Sequence, residues 1–135
     1  MKKGRKKFNQ RGFTLPEILI VIGIVAILSA IAIPNLLRSR HLSNEAVAQS
    51  TLKTIAWAME NYLASNGTYP AATNDLTTPV PPYLSADYFT GTHNGYTFVA
   101  NTLTNYTYAV TASPAGANFG TESYTITTGS VLTTN

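Results

Sequence analysis

The chain of 135 residues contains no cysteine, which excludes a disulfide framework, a thiolate zinc site, an iron–sulfur cluster and a cysteine nucleophile. Charge is scarce as well. Asp, Glu, Lys and Arg together make 11% of the residues, about half the roughly 25% of an average soluble domain. The two histidines, His41 and His93, lie far apart in sequence and suggest no histidine-based metal or catalytic cluster. Gly91, Gly95, Gly116 and Gly120 fit neither a P-loop nor a dinucleotide-binding spacing. Serines and threonines are plentiful, but no paired base is present to activate one. These absences speak against an enzyme and imply no cofactor. What is present is 44% hydrophobic residues, enough core material for one small domain.

The net charge of +3 is sorted by position. Six of the nine cations, Lys2, Lys3, Arg5, Lys6, Lys7 and Arg11, fall in the first eleven residues. After Gly12, three cations (Arg38, Arg40, Lys53) face six acids, a net charge of −3. A nucleic-acid binder would spread Lys and Arg over a folded face among aromatics, so no nucleic-acid partner is expected. The basic tail instead abuts an apolar stretch, and the positive-inside rule then keeps the tail cytoplasmic.

That stretch, Ile18 to Ile33, reads ILIVIGIVAILSAIAI, with only Gly23 and Ser29 interrupting pure hydrocarbon. With its flanks it covers 13–37 and holds a single charge, Glu17. About 20 apolar residues span a bilayer, so this segment can cross one. It lacks the polar face that a soluble core helix shows. Three readings compete. One is a removable secretory signal cut at Ala30-Ile31-Ala32, and another is a plain uncut anchor. The third rests on Arg11-Gly12-Phe13-Thr14-Leu15-Pro16-Glu17, where Gly-Phe sits on the cytoplasmic side with a carboxylate four residues after the Phe.

The run GFTLPEILIVIGIVAILSAIAIPNLL closely resembles the N-terminus of type IV pilins and of the pseudopilins of type II secretion, over residues 11–37. The resemblance implies cleavage between Gly12 and Phe13 by a prepilin peptidase, a membrane aspartic peptidase that also N-methylates the new Phe13 amine. The mature chain would then be Phe13–Asn135, with the apolar segment retained. Further implied partners are other pilin-like subunits, an inner-membrane assembly platform and, before assembly, membrane lipid. The implied location is a single pass of the inner membrane with an external head, then a pilus at the cell surface or a periplasmic pseudopilus. One departure is Ala26, where many members carry glycine; Gly23 lies a turn earlier.

A carboxylate near the end of a bilayer span is costly and usually has a partner. Cleavage would give Phe13 a cationic amine four residues from Glu17. Between parallel, axially staggered helices, Glu17 of one subunit can meet the Phe13 amine of the next, and a mispaired charge would stay buried, which favours one stagger. Thr14-x-x-Glu17 also fits a capping box, in which Glu17 caps its own helix. Pro34 removes a helix hydrogen bond at the far end of the apolar run. Since a helical pattern resumes from Asn44, one long bent helix is expected rather than a break.

From Leu42 to Ser65 the pattern is an amphipathic helix. Leu52, Ile55, Ala56, Met59, Tyr62 and Leu63 form one stripe that Ala48 extends backwards. Trp57 projects roughly 140° from Leu52 at about 100° per residue, as an exposed edge residue or a contact with a neighbouring subunit. Asn66-Gly67 supplies the helix stop. A proline-bearing loop follows to about Thr92, in which Tyr83 and Leu84 are expected to pack onto the head. Short β-type runs follow at 95–100, 105–112 and 122–128, with Val131-Leu132 as an added edge strand. Tyr106, Tyr108, Val110 and Ala112 are expected on one apolar face. Ser113-Pro114-Ala115-Gly116 reads as a turn or wider loop.

The expected fold is α+β: a long N-terminal helix packed on a small antiparallel sheet of three or four strands. The expected organisation is a leader over 1–12, a membrane or filament-core helix over 13–37 and a head over 38–135. Within the head, 38–65 is helix, 66–92 loop and 93–135 β-meander. No metal site is expected. Asp75 and Asp87 are the weak candidates for a cation, since loop carboxylates can bind calcium, but Asp75 reads more readily as a turn residue. The functional expectation is a structural filament subunit of the type IV pilus kind, with a pseudopilin of type II secretion as the alternative. A secreted binding module behind a removable signal is the remote third.

Overall fold

The computed structural model describes residues 12–135. Of the leader expected over 1–12, residues 1–11 lie outside them. The chain divides into two compact units, one ending at Leu36 and the other Leu37–Asn135. A single helix, α1, runs over Leu15–Asn66.

In the first unit, α1 is apolar on every side. Ile20, Ile27 and Ile31 are 63%, 67% and 64% exposed, so no stripe of this segment is covered by the described residues. Pro34 lies inside the helix without ending it. The price is local, because a proline at 34 has no N–H to offer the carbonyl of Ala30.

In the second unit, the later turns of α1 lie against a four-stranded antiparallel sheet. The strands are β1 (Tyr96–Leu103), β2 (Tyr108–Pro114), β3 (Tyr124–Thr127) and β4 (Val131–Thr134). They pair in sequence order, β1-β2-β3-β4. The architecture is therefore the expected α+β arrangement, with the full four strands. Leu52, Ile55, Ala56 and Met59 are completely buried, Ala48 nearly so, and Tyr62 and Leu63 pack on the same core. The sheet answers with alternate residues. Tyr108, Val110 and Ala112 of β2 are buried, as are Tyr124 and Ile126 of β3, and the register sets Val110 opposite Ile126. This two-residue period puts one face of each strand on the helix. The helix closes at Asn66, where the Gly67 N–H donates to the Leu63 carbonyl at 2.8 Å. Gly67 takes φ +77°, a left-handed cap that glycine accepts without a Cβ penalty.

Two expectations need correction. Tyr106 does not join the apolar face; it is 82% exposed and precedes β2. Thr104 to Thr107 form a tight turn, with the Thr104 N–H donating to the Thr107 carbonyl at 2.9 Å and the Thr104 hydroxyl accepting from the Thr107 N–H at 3.0 Å. Threonine hydroxyls bonding their own backbone compete with strand pairing, so the alternation at Tyr106 is one of sequence only. At the other end of β2, Ser113 and Pro114 stay in the strand, opposite Thr97 and Tyr96. The turn comes after them.

The loop after α1 is more ordered than its prolines suggest. A single 3-10 turn at Thr73–Leu76 buries Leu76 completely. The Leu76 carbonyl accepts from the N–H groups of both Tyr83 and Leu84 at 2.9 Å. Leu84 is thereby buried, and Tyr83 meets Tyr62 edge-on at 5.3 Å.

Burial pushes the hydroxyls of Tyr96 and Tyr108 up to about 12, with the charges of Glu45 and Glu60 respectively adding to the effect. An unfolded tyrosine ionises near 10, so both groups are raised in the folded state. Their contribution is complete below pH 10 and is lost as pH climbs towards 12. Circular dichroism of denaturant unfolding at pH 9 and pH 11.5 is expected to show a lower midpoint at the higher pH, and Tyr96→Phe is expected to shrink that difference.

Candidate processing and assembly site

The Gly12–Phe13 bond precedes the helix in a non-helical segment, 12–14, and Phe13 is 84% exposed. A Cβ added at Gly12 would meet no atom within 4 Å. Among the described residues, nothing asks for glycine at that position.

Glu17 lies in the first turn of α1 and bends back to its start. Its Oε2 accepts from the Thr14 N–H at 2.7 Å and from the Thr14 hydroxyl at 2.6 Å. Within the isolated chain the acid thus caps its own helix, satisfying one of the N–H groups that a helix start leaves unpaired. Oε1 takes no hydrogen bond among the described residues, and Glu17 is exposed. One oxygen is therefore committed and the other open. Pro34, the third residue singled out for assembly, is 17 residues further along the same helix and outside this cluster.

Among the described residues, α1 is the one helix long and apolar enough to cross a membrane. Its most apolar 18-residue window has a mean hydropathy of 2.6, and none of it is buried.

Asp75 and Asp87 each serve a turn of their own. The Asp75 Oδ2 accepts from the Ala72 N–H at 3.0 Å and opens the 3-10 turn. Asp87 accepts from the Thr90 hydroxyl at 2.6 Å and the Phe89 N–H at 2.9 Å. These bonds, the Thr90 hydroxyl foremost, hold the Asp87 carboxyl below the usual aspartate range. No group of three His, Asp or Glu side chains gathers among the described residues.

Sequence reasoning missed two acids that anchor the head. Glu45 is buried, and its Oε1 accepts from the Thr121 N–H at 3.2 Å and the Thr121 hydroxyl at 3.3 Å. Beside it, the Asn44 amide donates to the Phe119 carbonyl at 2.9 Å. Glu60 gathers three donors on Oε1: the Tyr69 hydroxyl at 3.1 Å, the Tyr108 hydroxyl at 3.3 Å and the Gly129 N–H at 3.2 Å. The signal was available, because Glu45 stands three residues before Ala48, and Glu60 four after Ala56, on the buried stripe.

An apolar helix bearing a capping carboxylate, joined to a four-stranded antiparallel meander, defines a pilin-like α+β protein. The comparisons with known proteins agree. Residues 7–33 match the prokaryotic N-terminal methylation motif. The type IV wide pilus major component PilA4 of Thermus thermophilus is 46% identical over 61 residues, 45% of this chain and 47% of that protein. The type IV major pilin protein PilA of Myxococcus xanthus is 34% identical over 76 residues, 56% of this chain and 34% of the relative. The type II secretion system core protein G of Escherichia coli is 34% identical over 84 residues, 59% of this chain and 58% of that protein. The chain carries the methylation motif, and its homologues are type IV pilins and core protein G pseudopilins. The matches span between about a third and three fifths of those relatives' length.

Proposed function

We propose that this chain is a structural subunit of a type IV pilus-like filament, not an enzyme. In this reading a prepilin peptidase cuts between Gly12 and Phe13 and methylates the Phe13 amine. The subunit waits in the inner membrane, leader inside and head outside, and then assembles through α1. The observation that carries the reading is the combination at the start of α1. A helix exposed on all sides over its apolar length must be covered by lipid or by other helices, since water is the one environment that penalises it. The open oxygen of Glu17 gives such a bundle a polar reference point for stagger. Pro34 lets the helix yield locally during packing, because the proline has already removed one bond there.

A second reading, a pseudopilin of a type II secretion system, is supported by the core protein G match, which extends over 84 residues. The two readings share the same processing and packing chemistry. Electron microscopy of material sheared from cells that produce the chain separates them: long surface filaments support the pilus, and their absence together with a secretion defect on deletion supports the pseudopilus.

The empty space around Gly12 yields a direct prediction. Gly12→Leu is expected to leave head folding unchanged, as judged by circular dichroism and unfolding midpoint. The chain is nevertheless expected to be retained entirely at its uncleaved mass. Normal cleavage of Gly12→Leu would mean that no peptidase reads this position.

A further inference from the structure

Within the second unit, uncommitted hydrogen-bond donors come together at one place. A cleft of about 350 Å³ is lined by Arg40 and Asn44 of α1, by Asn94 and Gly95 of the turn before β1, and by Asn118 and Phe119 of the turn after β2. All six belong to the one compact unit Leu37–Asn135. The volume falls in the range of small-molecule sites, about 300–1,000 Å³.

The walls of this cleft are pinned. The Asn44 amide donates to the Phe119 carbonyl at 2.9 Å, and the Phe119 N–H donates to the Gly116 carbonyl at 3.0 Å. The Ala115 N–H donates to the Gly95 carbonyl at 2.8 Å, which fastens one turn to the other. Gly95 takes φ +81°, and a Cβ there would stand 2.5 Å from the Phe119 Cδ1. Glycine at 95 therefore lets the Phe119 side chain close on the turn backbone.

What these walls present is donors without an anion. Among the described residues, the side chains of Arg40, Asn94 and Asn118 make no ion pair or hydrogen bond. No carboxylate stands in the lining. The neighbouring acid, Glu45, is buried with its Oε1 bonded to Thr121. An arginine fork grips two oxygens of one oxyanion side by side. The two amides come from separate turns, so the donors surround a volume instead of lying in one plane. A carboxylate, planar and with two oxygens, satisfies the fork and leaves the amides over. A phosphate group spreads its oxygens over a tetrahedron and can meet all three side chains.

We propose that this cleft binds a phosphate group, with Arg40 as its charge partner and Asn94 and Asn118 as flanking donors. The site goes beyond the filament reading and does not depend on it. Two sources carry the group: phospholipid headgroups and free phosphate.

The test uses the full chain, isotope-labelled and solubilised in dodecyl maltoside, a detergent without phosphate. Nuclear magnetic resonance follows the Arg40 Nε–H and the side-chain amides of Asn94 and Asn118. The chain is titrated separately with inorganic phosphate and with dioleoylphosphatidylglycerol; acetate and dioleoylglycerol serve as controls. Saturable shifts at all three side chains are expected with a phosphate-bearing probe and with neither control. Saturation by inorganic phosphate assigns the free ion, and saturation by the phospholipid alone assigns the headgroup. Arg40→Gln is expected to weaken binding by about tenfold or more, the loss of a charged hydrogen-bond partner. Asn118→Ala, at an exposed turn position, is expected to weaken it less and serves as the second variant should Arg40→Gln alter the circular dichroism. Arg38→Gln removes the same charge outside the lining and is expected to bind as the parent does. Absence of shifts with both phosphate probes would overturn the site. Equal binding of acetate would show a carboxylate site and overturn the assignment to phosphate. Equal losses from Arg38→Gln and Arg40→Gln would reveal diffuse charge attraction and overturn the cleft as its seat.

Discussion

Glu17→Ala is expected to give a subunit that inserts in the membrane and is cleaved, yet is absent from filaments. The substitution removes the only charge between 13 and 37, so insertion becomes easier rather than harder. The helix loses its cap from Thr14, a matter of a frayed first turn, since the following turns are held by their own backbone bonds. In the assembly proposed above, what it cannot replace is an acceptor for the neighbour's amine. An ammonium carried into an apolar bundle without a partner keeps its full desolvation penalty, so subunits lacking the acid are excluded instead of tolerated. Glu17→Gln separates the observed capping from the proposed pairing. Its amide oxygen can still accept from the Thr14 N–H and cap the helix, but it offers no charge. If capping were the whole function, Glu17→Gln would assemble normally. The account expects it to fail almost as completely as alanine, read by immunoblot of sheared filaments against total membrane subunit.

The second large effect is expected at Glu60→Ala, and it falls on the stability of the head. One carboxylate oxygen holds the Tyr69 hydroxyl, the Tyr108 hydroxyl and the Gly129 N–H, tying α1 to the loop, to β2 and to the β3–β4 turn. Alanine removes the acceptor shared by all three donors, and Tyr108, 1% exposed, keeps only its contact with Ser130. With roughly 1–3 kcal/mol for each buried donor left unpaired, and partial rescue for the more exposed Gly129 N–H, a loss of about 2–4 kcal/mol is expected. Small domains have only about 5–15 kcal/mol in total. The loss should appear as a clear fall in the denaturation midpoint of the full chain in detergent, with Glu60→Gln intermediate. A midpoint within error of the parent would show that the three contacts contribute little net stability.

How much of this was legible in the sequence depends on the kind of force involved. The apolar helix was readable because its signal is additive: sixteen residues with two interruptions leave no other interpretation of the backbone. The buried stripe from Ala48 to Leu63 and the strand alternation from Tyr108 to Ala112 were readable for the same reason, as each residue votes independently for a face. Tyr106 was misread because alternation continues past the point where the strand stops, and the decision there lies with the Thr104 and Thr107 hydroxyls, which prefer their own turn. The 3-10 turn at Thr73–Leu76 has too few residues to show a period, and it forms because Leu76 gains complete burial in the core. Glu45 and Glu60 sit on the stripe that the sequence exposes, but an acid on an apolar stripe can be recognised as an anchor only when its donors, separated by up to 76 positions, are seen to converge. The Gly12–Phe13 bond and Glu17 stand out in the sequence for a different reason. They form a local motif, and the structure adds to them an exposed bond, a committed oxygen and an open one.

The central claim is that removing the leader creates the cation that the next subunit's Glu17 grips. The most direct measurement is the intact mass of the chain recovered from assembled filaments. The account predicts a chain beginning at Phe13 with one added methyl group. A polymerised chain still beginning at Met1, or one beginning after Ala32, would contradict it, because neither presents an amine four residues ahead of that carboxylate.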